Sequence, residues 1–495
     1  MELLLWLIPP AALLLLALPL PRRFQHIVSV AATALQAGVA VFATVDVLRY
    51  GSVSPALFGG LLYLDAVSVL FLDLVAAIGL LVCLYTIGYV EGEIRHGAMD
   101  AARVRLLYLL MHGFLFTMVL ALTVRNLGAV WIAIEATTLA SVFLVGFHGG
   151  KSALEAAWKY IILCSVGITL AMVGIIFLNS AAAGVLGEGV SLDWTALSES
   201  AGALDGSYLR FAFVFLLVGF GTKAGLAPMH TWLPDAYSQA PSPVSALLSG
   251  VHLNAAMYAL MRTVSIVNRN LGDSLFTGRL LIAAGFLSVL AAALFLLTQK
   301  DYKRLLAYSS IEHMGIVAIS VGVFSPLSLF AAFYHLVNHS FTKSMLFLSS
   351  GTVLQKFGTR EIGKVGNLLK ALPVTGPVFL LGLIALGGTP PFSLFSSELG
   401  VLSSLFGERR FLLGVAVVVL LALVFAGIVQ AMFRMFFPRP SADLPAIVPG
   451  EPDPLGAAVV VLLLVVVLVT GVFLPDWLLQ LLTRAQVLLS GGVGA

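Results

Sequence analysis

Long apolar runs separated by short polar stretches dominate this sequence. Two of them, 411–431 and 455–474, contain no charged residue. A helix needs about 20 residues to cross about 30 Å of hydrocarbon, and both runs meet that length. A transmembrane β-barrel would instead show alternating segments of about ten residues, whereas these runs are continuous. The pattern therefore predicts an all-α integral membrane protein.

Counting such runs predicts about fourteen transmembrane helices. Two connections are long: 180–208 is acidic and rich in Gly and Ser, and 438–454 is rich in Pro, which predicts an extended linker. The predicted helices cover 3–20, 26–48, 61–87, 104–124, 127–147, 155–179, 209–228, 243–266, 276–298, 304–323, 326–350, 373–402, 411–437 and 455–483.

Composition agrees with lipid as the main solvent. Apolar residues make up 60% of the 495 residues and charged residues only 10%, against about 25% charged residues in soluble proteins. The net charge is +3, and no basic stretch interleaves with aromatic residues, so no nucleic-acid partner is expected. The two cysteines, Cys83 and Cys164, are too few for an iron–sulfur cluster, which needs four ligands.

Lysine and arginine are divided unevenly between alternate loops. The loops after the odd-numbered helices hold about fifteen of them, and the remaining loops hold about nine. Because cytoplasmic loops carry the excess of positive charge, the sequence predicts a multi-pass protein of the cell inner membrane with both termini on the non-cytoplasmic side. Arg22 and Arg23 follow the first apolar run, which is not the order of a secretory signal.

An internal duplication is visible at low similarity. Ile134-Glu135-Ala136 and Ile311-Glu312-His313 each lie two helices before a run interrupted by Gly and Pro, 221–234 in helix 7 and 387–397 in helix 12. The offset of five helices is odd, so the two copies would be inverted in the membrane, and interrupted helices of inverted repeats mark ion sites. The predicted units are helices 1–3 (1–103), a first five-helix repeat (104–266), a second inverted repeat (276–437) and a C-terminal helix (455–495).

Several ionisable side chains fall inside predicted spans. They are Lys159, Lys223, Lys343, Glu135 and Glu398. A lysine or aspartate at a helix centre costs about 2.5–3.5 kcal/mol on insertion scales. Such groups are therefore expected to face the protein interior or a water-filled cavity, and to pair with one another.

Lys223 lies beside a predicted helix break. Pro228 lacks an N–H and would interrupt the hydrogen-bond ladder near residue 224, which frees carbonyls next to the ammonium. Pairing of Lys223 with Glu135 would make a proton acceptor of adjustable affinity. The alternatives from the residues alone are a static ion pair and a structural carboxylate that bonds a neighbouring helix.

His335, His339 and Lys343 share one helix face, because they are spaced i, i+4 and i+8. Imidazole both donates and accepts a proton, so the three predict a segment of a proton wire leading towards Glu398. His335 and His339 also have metal-ligand spacing, but no third ligand is near in sequence, so no metal site is expected. Weaker candidates for the same relay are Lys159, His230, Asp235, His252, Glu312 and His313.

Three segments resemble a known family. GTKAGLAPMHTWLPDAYSQAPSPVSALLSG, YSSIEHMG and HLVNHSFTKSMLFLSSG resemble the antiporter-like membrane subunits of respiratory complex I, group 4 membrane-bound hydrogenases and Mrp-type cation/proton antiporters. WIAIEATTLASVFLVGF and LEAAWKYIILCSVGI look closest to the membrane component F of hydrogenase-4 and its formate hydrogenlyase relatives. The resemblance implies fourteen core helices with two inverted five-helix repeats, helices 7 and 12 being broken, and no bound redox cofactor.

The resemblance also implies roles for particular residues. The family's charged positions fall on Glu135 in helix 5 and Lys223 in helix 7, and on four residues of helices 11 and 12, which are His335, His339, Lys343 and Glu398. One departure is Asn254, which stands where some relatives carry a helix-8 lysine. His252 is the nearest alternative base, but it lies on a different helix face.

The function predicted is a proton-translocating subunit of a redox-driven complex of the hydrogenase-4 or NADH dehydrogenase type. Its expected partners are other membrane subunits, a peripheral redox arm, the lipid bilayer and protons, and it has no catalytic chemistry of its own. One alternative is a subunit of a multi-subunit Na⁺/H⁺ antiporter, with oxygen ligands from Glu135, Asp73, Thr137 and Ser141. The others are a passive structural subunit and a solitary metabolite carrier.

Overall fold

A computed structural model describes residues 1–55, 60–187, 192–437 and 448–491 of the chain. Apart from a two-stranded antiparallel hairpin, β1 (Ser52–Val53) with β2 (Leu64–Asp65), the named elements are helices. They are α1 (Leu4–Ala17), α2 (Arg22–Tyr50), α3 (Ala66–Arg95), α4 (Ala101–Thr123), α5 (Leu127–Val145), α6 (Lys151–Leu186), α7 (Trp194–Glu199), α8 (Gly206–Lys223), α9 (Trp232–Gln239), α10 (Ser242–Leu247), a π-helical turn (Leu248–His252), α11 (Leu253–Leu271), α12 (Leu275–Leu296), α13 (Tyr302–Val323), α14 (Pro326–Phe357), α15 (Leu368–Ala371), α16 (Thr375–Leu386), α17 (Ser393–Gly407), α18 (Phe411–Phe436), α19 (Pro454–Val472) and α20 (Asp476–Ser490).

Ten helices in the described part of the chain are long and apolar enough to cross a membrane, counting α10, the π turn and α11 as one. The helices α1 and α16 are apolar but shorter. The helices α8 and α14, which carry Lys223 and Lys343, are not among the ten. The prediction of an all-α membrane protein is confirmed at this level.

Several predicted boundaries are wrong by more than a turn. Helix α3 begins at Ala66 rather than at 61, because Leu64–Asp65 pairs with β1 and the Asp65 carboxylate caps the helix by accepting from the Ser68 N–H. Helix α6 continues to Leu186, well into the predicted loop 180–208. The predicted last helix is two helices, α19 and α20, separated just before Asp476 by Pro475. Of the predicted linker 438–454, residues 438–447 lie outside the described residues, as do residues 492–495 of the predicted C-terminal unit.

The two interruptions occur where the sequence predicts them. Helix α8 ends at Lys223 and α9 begins at Trp232, while α16 ends at Leu386 and α17 begins at Ser393. Protein side chains satisfy the backbone that the first break frees: the Trp232 indole donates to the Thr222 carbonyl at 2.9 Å, and Ser288 Oγ accepts from the Ala227 N–H at 2.8 Å. Broken backbone is tolerated at membrane depth only with such partners.

Small residues bring pairs of helices into close contact. A Cβ at Gly219 of α8 would lie 2.6 Å from a backbone nitrogen of α6, and one at Gly285 of α12 would lie 2.5 Å from the Gly315 carbonyl of α13. Lipid tails are as apolar as leucine, so close backbone approach of this kind drives helix association in membranes. The most apolar stretches of Ser242–Leu271 and α13 are completely buried, which makes these helices the centre of the bundle.

Basic residues gather at one end of the bundle. Lys151, Lys300, Lys303 and Arg360, all from loops assigned to the positive side, line one cleft together with His148. Burial lowers the pKa of His148 to about 4, and the positive charges of Lys303, Arg103 and Arg360 act in the same direction. His148 is therefore neutral at pH 7, and the cleft combines these basic residues with two acidic ones, Asp301 and Glu361.

Candidate functional site

The first cluster of polar groups is centred on Lys223 and also contains Glu135, Thr138 and Tyr160. Lys223 is completely buried at the last turn of α8. Its Nζ donates to Thr138 Oγ1 at 2.6 Å and to the Tyr160 hydroxyl at 3.1 Å. The ammonium also lies 5.2 Å from the centre of the Tyr160 ring, within reach of a cation–π interaction.

Thr138 stands between Lys223 and the carboxylate of the cluster. Its hydroxyl accepts from Lys223 and donates to Glu135 Oε2 at 3.1 Å, and Ser165 donates to the other Glu135 oxygen at 3.2 Å. In the described part of the chain Glu135 and Lys223 do not form a direct ion pair. The expected direct pair is therefore replaced by a hydroxyl bridge, because Thr138 lies one helical turn beyond Glu135 on the same face of α5.

Hydroxyl groups extend this cluster towards the centre of the bundle. The Tyr160 hydroxyl bonds Ser141 Oγ at 2.7 Å, and Ser141 in turn donates to the Thr137 carbonyl. Thr137 Oγ1 lies 3.1 Å from His252 Nε2. The Thr137 hydroxyl donates to the Ile134 carbonyl at 2.6 Å, so it accepts from His252. His252 therefore lies next to the first cluster, but the described hydroxyls do not form an unbroken chain to it.

The π-helical turn Leu248–His252 faces two ways. His252, at its end, contacts Thr137 of α5, next to the first cluster. Ser249 bonds Ser310 of α13 at 2.8 Å, beside the second cluster. Single π-helical turns inside α-helices frequently occur at functional sites. Here the turn connects polar groups of α5 with polar groups of α13.

Asn254 faces away from His252. Its amide donates to Ser340 of α14 at 2.7 Å and to the Gly250 carbonyl at 3.2 Å. Two residues on a helix differ by about 200°, so His252 and Asn254 meet different neighbours. His252 therefore does not take the place of a lysine at Asn254, although it lies within the polar region.

The second cluster occupies the interface of α13, α14 and α17. It consists of Ser309, Glu312 and His313 of α13, His335, His339 and Lys343 of α14, and Glu398 of α17. Lys343 is completely buried and donates to Ser309 Oγ at 2.6 Å and to the Leu306 carbonyl. Its ammonium is therefore held by α13 rather than by an acidic side chain.

His313 lies between the two histidines of α14. Its Nδ1 is 3.1 Å from His335 Nε2, and its ring centre is 5.3 Å from that of His339. His335 Nδ1 contacts Ser397 of α17 at 3.0 Å. Within the described residues neither nitrogen of His339 has a hydrogen-bond partner. The residues predicted to share one face of α14 are consequently joined by a residue of α13, with His313 between His335 and His339.

Two carboxylates border the histidines. Glu398 Oε1 lies 4.0 Å from His313 Nδ1, and Glu312 Oε2 lies 3.6 Å from His313 Nε2. Glu398 packs against the second helix break, since a Cβ at Gly388 would lie 2.1 Å from Glu398 Oε2. Glu312, a weaker candidate by sequence, is 1% exposed and shares the cluster with Glu398.

Three of the weaker candidates lie elsewhere. The Lys159 side chain is 48% exposed and pairs with Glu155 at 2.7 Å and with Asp235 at 3.2 Å. Asp235 also pairs with Arg304 at 2.8 Å, so these groups form a surface ion network. His230 is buried in the loop between α8 and α9, and it makes no recorded contact with Lys223 among the described residues.

Sequence reasoning missed the hydroxyl groups that connect the charged ones. Thr138, Tyr160, Ser309 and Ser397 each bond a titratable side chain of the clusters. Only Thr138 had a local signal, its spacing of three residues from Glu135. The others act across helix interfaces, and helical periodicity does not identify the helix on the other side.

In the described structure, two of the oxygen ligands expected for a sodium ion, Asp73 and Glu135, bond to different neighbours. Asp73 of α3 accepts from Thr44 of α2 at 2.7 Å, whereas Glu135 bonds Thr138 and Ser165. Asp73 faces α2, and this separates it from α5.

Comparison with known proteins gives a consistent result. Residues 124–424 match the family model described as NADH:quinone oxidoreductase/Mrp antiporter, TM. The chain is 39% identical over 386 residues to the hydrogenase-4 component F homolog of Methylacidiphilum infernorum (isolate V4), and the match covers 78% of this chain and 81% of that protein. It is 28% identical over 380 residues to a Na(+)/H(+) antiporter subunit of Bacillus subtilis (strain 168), covering 77% and 74%.

A solved structure extends the likeness to the whole fold. A chain of the membrane-bound sulfane sulfur reductase, an archaeal respiratory membrane complex, superposes with a TM-score of 0.84 and 25% identity. The match covers 98% of this chain and 96% of that one.

Proposed function

This chain belongs to the family of NADH:quinone oxidoreductase/Mrp antiporter transmembrane subunits, and we propose that it moves protons across the membrane through the two buried clusters. The predicted resemblance to antiporter-like membrane subunits is confirmed by the family match. The residues that carry protons, the direction of transport and the coupled chemistry are proposals.

One observation carries the proposal: two completely buried lysines lie in polar clusters that the centre of the bundle connects. Lys223 and Lys343 are each 0% exposed and each bonds a hydroxyl group. A charged group in the hydrocarbon region is costly and marks an ion pathway unless it is a static pair. Neither lysine has a direct carboxylate partner among the described residues, which argues against static ion pairs.

The groups suggest an order of transfer. A proton is exchanged between Lys223 and Glu135 through Thr138 and between Lys223 and the hydroxyls of Tyr160 and Ser141. Water carries it on towards His252, because Ser141 donates to the Thr137 carbonyl, which does not relay a proton. From the π turn it continues to Ser310 and Lys343, and then through the histidines to Glu398. Steps for which the described side chains make no direct contact require water, which bridges polar groups readily in such sites.

The finer architecture is part of the proposal. We infer fourteen transmembrane helices, with inverted five-helix repeats over 104–266 and 276–437, three helices before them (1–103) and one after (455–495). Support comes from the interrupted helices α8/α9 and α16/α17, each located two spans after a helix with a central glutamate, Glu135 or Glu312. Matching interruptions of this kind border the ion site in inverted-repeat transporters.

The partners and orientation are also inferred. Moving protons against a gradient needs an energy source, so we propose other membrane subunits and a peripheral redox arm as partners. The hydrogenase-4 relative and the archaeal respiratory complex support this assignment. The basic cleft of Lys151, Lys300, Lys303 and Arg360 supports an inner-membrane location with that end in the cytoplasm and both termini on the opposite side.

Membership of a Na⁺/H⁺ antiporter is the second candidate, favoured by the Bacillus subtilis relative, which is named as part of such an antiporter. The separation of Asp73 from Glu135 leaves fewer oxygen ligands for Na⁺ than the sequence alone indicated. Transport measured with and without Na⁺ separates the two candidates, since only the antiporter requires Na⁺ on one side.

The test uses the intact complex purified from its host and reconstituted in sealed vesicles with a pH-sensitive dye. Lys343→Met removes the charge but keeps the side-chain length. We expect loss of proton transfer while the complex still assembles and its redox partner still turns over. Lys370→Met, at an exposed position outside the spans, is the control and should transfer protons like wild type.

The result that contradicts the proposal is normal proton transfer in Lys343→Met. Failure of that variant to assemble would support the passive structural subunit if Lys343→Arg, which retains a charge, restored both assembly and proton transfer. Assembly restored without proton transfer would support the proposal instead, because arginine does not release its proton in proteins.

A further inference from the structure

Three side chains of the second cluster present metal-ligating atoms to one point. One nitrogen each of His313 and His335 and one carboxylate oxygen of Glu398 all lie within 4.8 Å of one another, and all three residues are buried. Sequence reasoning expected no metal site because it found no third ligand near His335. Glu398 is remote in sequence, and α17 brings it to the histidines.

The two histidines are oriented as metal ligands usually are. His313 Nδ1 and His335 Nε2 face each other at 3.1 Å. Two nitrogens bound at 2.0–2.1 Å to a tetrahedral ion lie about 3.3 Å apart, so these two need almost no movement. Glu398 Oε1 lies 4.0 Å from His313 Nδ1, and the three ligand atoms lie within 4.8 Å of one another. The carboxylate must therefore approach by up to about 1.5 Å, which a side-chain torsion can supply.

The remaining nitrogens face partners of the kind that support metal-bound histidines. His313 Nε2 lies 3.6 Å from Glu312 Oε2, and His335 Nδ1 lies 3.0 Å from Ser397 Oγ. A metal-bound histidine almost always donates its other N–H to a carboxylate, carbonyl or similar acceptor, which fixes the ring and raises its basicity. The His335 ring can therefore bind on one side and donate on the other. The His313 ring can do the same once Glu312 Oε2 moves a few tenths of an ångström closer, because 3.6 Å exceeds the length of a hydrogen bond.

Unpartnered polar groups also occur in this region. Glu312 and Glu398 are both buried, and a buried carboxyl group is costly unless it is hydrogen-bonded, paired or bound to a metal. Neither nitrogen of His339 has a hydrogen-bond partner within the described residues, and its ring centre lies 5.3 Å from that of His313, so His339 is an unpartnered polar group next to the proposed ligands.

We propose that His313, His335 and Glu398 form a binding site for a divalent transition metal of the zinc class, and that its occupancy blocks proton transfer. Neutral imidazole and carboxylate suit Zn²⁺ and Co²⁺ better than Mg²⁺ or Ca²⁺. Inhibition follows because the three ligands would no longer exchange protons, and this second part rests on the proposed function.

Binding is tested directly on the intact complex, stripped of metal and titrated with Co²⁺. Four-coordinate Co²⁺ absorbs visible light far more strongly than six-coordinate Co²⁺, so the spectrum reports the geometry. We expect the strong spectrum, its loss on addition of Zn²⁺, and an affinity at least about tenfold weaker in His335→Gln and in Glu398→Gln. His112→Gln is the matched control, because His112 is also buried but bonds Ser29 in a different part of the bundle.

Two results would overturn the site. One is a weak six-coordinate spectrum, and the other is equal affinity in wild type and in both ligand variants. If a variant does not assemble, His313→Asn in its place reports on the same site. Inhibition is measured separately, as Zn²⁺-dependent loss of proton transfer that EDTA reverses. Metal binding without inhibition supports the site and refutes its blocking role. Absence of proton transfer in the wild-type complex refutes the proposed function but does not affect the binding result.

Discussion

The hydroxyl bridge of Thr138 offers the sharpest test of the first cluster. Thr138→Val keeps the shape of the side chain but removes the oxygen that accepts from Lys223 at 2.6 Å and donates to Glu135 at 3.1 Å. A hydrogen bond to a charged group contributes about 1.5–3 kcal/mol. After the change, Tyr160 is the side-chain hydrogen-bond partner that Lys223 keeps within the described residues.

The magnitude follows from that energy. If proton exchange between Glu135 and Lys223 proceeds through the hydroxyl, losing about 1.5–3 kcal/mol slows it by about ten- to a hundredfold, since about 1.4 kcal/mol corresponds to a factor of ten. The assay is the initial rate of dye-reported proton transfer by the intact complex in vesicles, normalised to the amount assembled. Thr138→Ser restores the hydroxyl and should recover most of the rate.

The control is Thr86→Val. Thr86 is completely buried in α3 and donates to the Val82 carbonyl, so its loss tests the general cost of replacing a buried threonine. The reasoning is refuted if Thr138→Val, fully assembled, transfers protons within about twofold of wild type. It is also refuted if Thr86→Val loses as much rate as Thr138→Val.

Two further predictions concern other parts of the chain. Gly388→Ala would place a Cβ 2.1 Å from Glu398 Oε2, at a backbone position with a φ of +63°. A strained backbone position costs about 1–3 kcal/mol, so the variant should displace Glu398 and slow proton transfer in vesicles. An unchanged rate would count against a role for Glu398. Arg262→Ala would leave the buried Asp65 carboxylate without the arginine that donates two hydrogen bonds to it. Removing one partner of a buried ion pair costs about 3–5 kcal/mol, so the melting temperature in detergent should fall clearly. An unchanged melting temperature would contradict a stabilising role for this pair.

The sequence predicts the helical membrane architecture well because that architecture depends on local pattern. Length and apolarity of a run are sufficient for a span, and Gly with Pro is sufficient for the breaks after Lys223 and Leu386. The start of α3 is mispredicted because Leu64 and Asp65 pair with residues 52–53 as a short β-strand instead of joining the helix. Pattern alone cannot identify that partner.

The buried charges are also visible in the sequence, since Lys223 and Lys343 interrupt apolar runs. Their neighbours are not, because contacts between helices depend on how the helices rotate and pack. His313 was a weaker candidate by sequence, yet it lies between His335 and His339 in the structure. Lys159 looked intramembrane by position, yet its long side chain reaches Glu155 and Asp235 at the surface, as lysines near helix ends commonly do.

The central claim is that Lys223 and Lys343 act in series on one path, and a double-variant comparison tests it most directly. Proton transfer is measured in vesicles for Lys223→Met, for Lys343→Met and for the variant that carries both. A path in series predicts that either change alone abolishes transfer and that the double variant is no worse. Partial transfer in each single variant, with complete loss only in the double, would mean two separate paths and would contradict the account.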